Sequence, residues 1–243
     1  MSEAVATLVR PVRRRRLWED VAHRLEEMIQ DGTFPAGTLL PPERELMKLF
    51  VVGRPAVREA LFALHRMGLV RVSTGERASV TTPTPDTLIA HLSGAARAFL
   101  SQSGGPAHFQ EARTLFECGV ARLAAQHASV ADIGRLRAAL AANEAARGDA
   151  RRFEQADVAF HYVLACITGN PIFSAVHDAL VDWLTSQRTM ALRHPHAETI
   201  ALAGHRRILD AVAAGEAEAA DRAMARHLQE IADLIRGGAE VTQ

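Results

Sequence analysis

Val51-Val52-Gly53-Arg54-Pro55-Ala56-Val57-Arg58-Glu59-Ala60-Leu61 reads as a tight turn feeding a helix with one buried and one open side. Val57, Leu61 and Leu64 recur at i, i+4, i+7 and mark the inward stripe. Arg54 and Arg58, four apart, stack on another face. Two guanidiniums on the open side of a short helix suit phosphate oxygens and guanine edges. Upstream, Pro41 to Phe50 forms a second short helix with Leu46, Leu49 and Phe50 apolar and Arg44 near its start. Two short helices joined by a tight turn predict a helix-turn-helix.

The flanking segments extend this unit. Leu17 to Gln30 places Val21, Leu25, Met28 and Ile29 at helical spacing, and Asp31-Gly32 ends that helix. Leu39-Leu40 reads as an apolar bridge into the next helix, entered through Pro41-Pro42. Beyond Gly68, Leu69 to Ser73 and Ala78 to Thr82 alternate as two strands around Gly75. A hairpin after a helix-turn-helix is a wing, with Thr74, Gly75 and Arg77 expected at its tip. Residues 1–15 form a polar arm carrying Arg10 and Arg13 to Arg15, next to Arg16. Such an arm is either a solvated tail or a nonspecific phosphate contact.

The chain of 243 residues is long enough for two domains, and 48% hydrophobic with 23% charged residues excludes disorder throughout. Its formal charge is zero, yet residues 1 to 80 carry 13 Lys+Arg against 10 Asp+Glu, so the front leans basic and the back acidic. No apolar run reaches the ~18 residues of a membrane span, and the arginine-rich start lacks a signal peptide's apolar stretch. A cytoplasmic protein is expected, with Cys118 and Cys166 reduced.

Thr82-Pro83-Thr84-Pro85-Asp86 is a stiff hinge and the clearest boundary. The organisation read from the chain is a basic arm at 1–15, a winged helix-turn-helix at 16–83, a hinge and linker helix at 84–104, and an all-helical domain at 105–238. Six helices are expected in the last: Ala107 to His127, Val130 to Gly148, Arg151 to Thr168, Pro171 to Arg193, Glu198 to Gly215 and Glu216 to Arg236. Their short joints predict an antiparallel bundle, so the fold class is mainly α with a small β-wing.

That bundle carries a second constellation. Asp157 and His161 are four apart on one helix face, flanked by Phe153, Phe160 and Leu164. His205 precedes Ile208, Leu209 and Val212, and His227 lies between Met224 and Ile231 in the same phase. Three helices thus aim one carboxylate and three imidazoles inward. Hydrogen-bonded core histidines are one reading, but four unpaired polar groups in a small core would cost several kcal/mol, which one divalent cation relieves. Three nitrogens and one oxygen suit Zn²⁺, with Ni²⁺ or Mn²⁺ as alternatives. Arg113, on the stripe of Phe109, Ala112 and Phe116, either pairs with Glu117 one turn on or meets a bound carboxylate. Asn170, ahead of Pro171, is a helix cap or a ligand contact, and Gln187 and Arg188 are further pocket candidates.

The motifs LPPERELMKLF (Leu40 to Phe50), GRPAVREAL (Gly53 to Leu61) and GLVRVSTGERASV (Gly68 to Val80) resemble the winged-helix domain of the GntR superfamily of bacterial transcription regulators. The helical remainder is similar to the effector domain of the FadR-type branch. Within that branch VGRPAVREAL, TGERA, GGPAHF and GNPIF resemble regulators of sialic acid catabolism. The resemblance implies a homodimeric repressor on double-stranded operator DNA, read by Arg44, Gly53, Arg54, Arg58, Thr74, Gly75 and Arg77. It implies a metal on Asp157, His161, His205 and His227, and a carboxylate effector, N-acetylneuraminate, near Arg113, Asn170, Gln187 and Arg188. No catalytic residue is implied. Gly53 departs from the family's Ser or Thr at the start of the recognition helix, removing a hydroxyl that can hold a phosphate. A metal-dependent hydrolase or lyase acting on a carboxylate remains the competing class, and a regulator answering another organic acid a further one.

Overall fold

The computed structural model describes residues 16–240 apart from 74, 91, 92, 192, 193 and 195, and omits the side chains of 88, 90, 93, 94, 97, 184–191 and 235–240. The basic arm therefore lies outside the described residues. The chain divides into two compact units, residues 1–88 and 89–243.

In the first unit, helices α1 (Leu17–Gln30), α2 (Glu43–Phe50) and α3 (Arg54–Arg66) enclose a core of Leu25, Leu40, Leu46, Val57 and Leu64. The backbone N–H of Arg16 donates to the Glu19 carboxylate, 3.0 Å away, and closes the first turn of α1. The turn between α2 and α3 is unusually tight for its residues. Val51 adopts φ 54° and ψ 47°, so a β-branched side chain sits in the left-handed region, and it is 90% exposed. Gly53 then takes φ −75° and ψ 160° as the N-cap of α3, with Pro55 in its first turn.

The wing is a two-stranded antiparallel sheet, β1 (Val70–Arg71) and β2 (Ser79–Val80), with Val70 opposite Val80 and Arg71 opposite Ser79. A third segment joins it. Leu39 bridges Ser79, the Leu40 N–H donates to the Ala78 carbonyl at 2.8 Å, and the Val80 N–H donates to the Thr38 carbonyl at 2.8 Å. The expected apolar bridge at Leu39-Leu40 is thus also a sheet edge. Two residues carry no alternation, and their partner lies about forty residues on, so local pattern does not reveal the pairing.

The chain continues through α4 (Pro85–Ala90) and α5 (Ser93–Leu100) into six longer helices. These are α6 (Gly105–His127), α7 (Val130–Ala145), α8 (Ala150–Ile167), α9 (Pro171–Ala191), α10 (Ala197–Ala213) and α11 (Ala217–Glu240). They match the expected set in number and nearly in bounds. Each joint has a local cause. Ser129 and Asp132 cap α7 reciprocally, Asp149 accepts from the Arg152 N–H at 3.1 Å ahead of α8, and Asn170 accepts from the Ile172 N–H at 3.0 Å ahead of α9. Joints this short return each helix alongside the last. Phe153, Phe160, Leu164, Leu202, Ile208 and Met224 fill the interior, with α6 and α10 packed on α11 and α7 on α8.

Cys118 is buried and Cys166 half-buried, both free. Burial first, then the Asp221 and Glu117 carboxylates, push the Cys118 thiol up to about 12, so it behaves as a small apolar group. Among the described residues no helix is long and apolar enough to cross a membrane.

Candidate functional site

The first unit gathers four of its arginines on one concave surface. Val57, Ala60, Leu61 and Leu64 hold α3 against the core, which leaves Arg54 and Arg58 exposed. Arg44 on α2 is also exposed. With Arg77 and Gly75 from the wing they line a cleft of about 650 Å³ floored by Leu61 and Phe62. α3 begins beside it behind a glycine cap with no side chain to compete for an anion; Pro55 has no N–H and those of Ala56 and Val57 donate to the Gly53 carbonyl, so among the described residues the Arg54 N–H is the donor that this turn leaves over.

The arginines are not equivalent. Arg54 Nε donates to Glu43 Oε2 at 2.8 Å, whereas Arg44 and Arg58 make no ion pair among the described residues. Glu43 thus pairs across the turn with Arg54 and not with its neighbour Arg44. Arg77, expected at the wing tip, turns back instead: Nε and Nη2 both donate to the Leu40 carbonyl, at 3.0 and 2.8 Å. That carbonyl sits beside the short third strand, so Arg77 ties the wing to the body. Thr74 lies outside the described residues.

In the second unit the three predicted histidines converge. His161 on α8, His205 on α10 and His227 on α11 are all buried and offer nitrogens within 4.8 Å of one another. Asp157, one turn before His161, places Oδ1 3.4 Å from His205 Nε2. Phe160 stacks on the His205 ring at 4.2 Å between centroids and 19° between planes, which fixes its orientation.

The outer nitrogens decide the chemistry of the inner ones. Asn143 on α7 donates through Nδ2 to the Phe153 carbonyl at 3.2 Å, and its Oδ1 lies 3.0 Å from His205 Nδ1. An amide oxygen only accepts, so His205 Nδ1 carries the proton. His161 Nδ1 contacts the Glu117 carboxylate, whose other oxygen accepts from Arg113 Nε at 2.5 Å. A carboxylate again only accepts, so this contact favours the His161 tautomer with its proton on Nδ1. Both Nε2 atoms therefore present lone pairs, and they face each other at 3.2 Å. Two facing lone pairs repel unless a cation or a proton lies between them.

His227 adds a third imidazole. Burial, followed by the charges of His205, His161 and Arg113, holds it well below the usual histidine range. Among the described residues its Nδ1 has no hydrogen-bond partner, and it lies against Gly204, where a Cβ would stand 2.3 Å from that nitrogen. The donor set of three imidazoles and one nearby carboxylate fits a divalent cation, and an otherwise orphaned buried nitrogen fits it as well.

The effector candidates divide. Arg113 is buried and forms the ion pair with Glu117, realising one of its two expected roles. Asn170 is exposed, and its side-chain oxygen is used in capping α9. Gln187 and Arg188 fall on α9 with side chains outside the described residues. Glu117 was legible only as a partner for Arg113, and Asn143 and Gly204 were missed. Asn143 did leave a signal: Leu136, Leu140 and Asn143 form one i, i+4, i+7 stripe, on which an amide needs a partner.

Comparison with known proteins gives two domain matches, "Bacterial regulatory proteins, gntR family" over residues 17–80 and "FCD domain" over residues 109–230. The HTH-type transcriptional repressor NanR of Cronobacter sakazakii is 47% identical over 227 residues, covering 91% of this chain and 86% of the relative. NanR of Escherichia coli K12 is 46% identical over 225 residues, with 91% and 85% covered. Among solved structures, Streptococcus agalactiae GntR superposes with a TM-score of 0.60 at 25% identity over 87% of this chain and 97% of its own. E. coli McbR/YncC gives 0.51 at 16% identity over 92% and 99%, a likeness of fold alone.

Proposed function

We infer, for a chain that belongs to the gntR family of bacterial regulatory proteins and carries an FCD domain, that it represses genes of sialic acid or related sugar-acid catabolism. It is a ligand-responsive transcriptional repressor and not an enzyme; relatives 46–47% identical over 91% of the chain are named repressors, which removes the competing hydrolase or lyase reading. The finer reading assigns operator binding to residues 16–83, a hinge and linker to 84–104, and effector binding and dimerisation to 105–238. A homodimer working in the cytoplasm would set two winged helices on a symmetric operator.

Arg44, Arg54 and Arg58 meet the DNA in this reading, with the Gly53 cap leaving the Arg54 backbone N–H to a phosphate, Thr74 and Gly75 serving as the wing's contacts, and Arg77 bracing the wing. Asp157, His161, His205 and His227 hold a divalent cation, Zn²⁺ by the donor set, with Ni²⁺ or Mn²⁺ as the other fits. Such a cation, when bound, supplies a positive centre that a carboxylate can chelate. Glu117 and Asn143 keep the outer histidine protons in place, and Arg113, anchored by Glu117, supplies fixed positive charge beside the cluster. The effector is then an organic acid, N-acetylneuraminate by likeness to the NanR repressors, its binding favouring a conformation with weaker hold on DNA.

The observation that carries the reading is the pairing of exposed Arg44, Arg54 and Arg58 in one unit with a buried three-histidine cluster in the other. An operator selected by the protein from random duplex DNA, followed by anisotropy titration, tests it. N-acetylneuraminate should weaken binding by about 5- to 150-fold, the range of ordinary allosteric coupling. Release by another sugar acid but not by this one would reassign the effector. Arg58→Ala should weaken binding across sequences and lower the salt slope by about one. His161→Ala should keep DNA binding and lose the effector response; a normal response would remove the metal from the switch.

A further inference from the structure

We propose that Glu43 is a positioning residue for base recognition, holding the Arg54 guanidinium so that its outer fork reads a guanine edge; this rests on the DNA-binding reading above. Glu43 opens α2 and Arg54 opens α3, so their bond spans the turn of the helix-turn-helix. Only Nε of Arg54 is engaged, at 2.8 Å from Glu43 Oε2, and among the described residues Nη1 and Nη2 have no partner. The Arg54 side chain is 69% exposed and that of Glu43 34%. A guanidinium held at Nε keeps the Nη1–Nη2 edge, whose spacing matches O6 and N7 of guanine.

The pair has little to do for the fold. Exposed ion pairs contribute little stability, and α2 and α3 already share the core through Leu46, Val57 and Leu64. A carboxylate on a surface that meets a polyanion also lowers raw affinity by repulsion. Its presence in the arginine-lined cleft is explained by what it does to Arg54. Tethered, the side chain gives up rotamer freedom before DNA arrives, and the neighbouring negative charge discourages it from settling on a phosphate. Arg44 and Arg58, which lack such a tether, remain available for the backbone.

The test compares wild type, Glu43→Ala, Glu43→Gln and Arg54→Ala on the duplex selected by the wild-type protein and on a random-sequence duplex, with thermal melting to confirm folding. Glu43→Ala should bind the random duplex as tightly as wild type or tighter, yet lose about tenfold or more in the ratio of specific to random binding, the order expected for one bidentate contact. The base preference it loses should be the one that Arg54→Ala loses. Glu43→Gln keeps an acceptor and should retain the greater part of the ratio. If Glu43→Ala tightens binding to both duplexes by the same factor and leaves base preferences intact, Glu43 acts only as a charge and the proposal falls. If wild type selects no sequence at all, the DNA-binding reading fails first, an outcome separable from the failure of Glu43.

Discussion

Gly204→Ala tests the histidine cluster through one added methyl group. Gly204 lies on α10 beside His205, and a Cβ there would stand 2.3 Å from His227 Nδ1, 2.9 Å from its Cγ and 3.0 Å from its Cβ. Ordinary contact begins near 3.4 Å, so the ring must retreat by about 1.1 Å. Metal ligands tolerate displacements of about 0.2 Å, and Met224 and Leu228, buried beside His227, leave the ring little room for another rotamer. For the protein without metal two terms oppose each other: alanine gains about 1 kcal/mol over glycine inside a helix, while overpacking costs about 1–3 kcal/mol. The net change in that state is about 0–2 kcal/mol of destabilisation by these figures. Metal affinity should fall by at least the 10–100-fold typical when a ligand's support is lost, because here the ligand itself is displaced. Competition against a chelator of known affinity reads the constant. Thermal melting with and without Zn²⁺ reads the linkage, in which each tenfold loss of affinity removes about 1.4 kcal/mol of metal-dependent stabilisation. A Gly204→Ala protein that binds Zn²⁺ as tightly as wild type would refute the placement of His227 among the ligands.

Asn143→Leu should lower Zn²⁺ affinity by about 10–100-fold in the same titration, because His205 loses the acceptor that keeps its proton on Nδ1; unchanged affinity would mean Phe160 stacking alone orients the ring. Val51→Gly or Val51→Asn should raise the melting temperature by relieving a left-handed valine, with a gain of up to about 1 kcal/mol; a lower value would speak against that backbone conformation. Asp132 is held down to about 2 by Ser129, then by Arg135, so its contribution is present above the ordinary aspartate range and lost as pH falls through about 2. Asp132→Asn should flatten that acid limb of the stability curve, and an unchanged limb would show that the cap does not matter there.

The helical periodicities were enough to place Leu17–Gln30 and all six long helices of the second unit, because each carries an apolar stripe bounded by a cap or a glycine. The turn residues served equally well for the wing hairpin, where Gly75 takes φ 80°. Reasoning of this local kind failed where the partner was distant. Leu39 pairs with Ser79 and Arg77 bonds the Leu40 carbonyl across 37 residues. Local pattern therefore put Arg77 at a loop tip, when its Nε and Nη2 donate to the Leu40 carbonyl.

The cluster divides along the same line. Asp157 and His161 were legible because i, i+4 spacing puts them on one face, and His205 and His227 because an imidazole in an apolar stripe requires a reason. What distinguishes a metal centre from three hydrogen-bonded core histidines, however, is where the ring protons sit. That depends on Glu117 from α6 and Asn143 from α7, separated from their histidines by 44 and 62 residues. Had those outer partners been donors, such as a backbone N–H or a lysine, the inner Nε2 atoms would carry the protons and repel a cation. Because both are acceptors, the protons are drawn outward and the lone pairs meet 3.2 Å apart. In the metal-binding reading proposed above, the choice between core and ligand is made by the outer partners of the histidines, a carboxylate that Arg113 steadies and an amide that the Phe153 carbonyl steadies. That arrangement also gives Arg113 a reason to be buried whether or not an acid is bound. It holds the Glu117 carboxylate in place against His161 Nδ1.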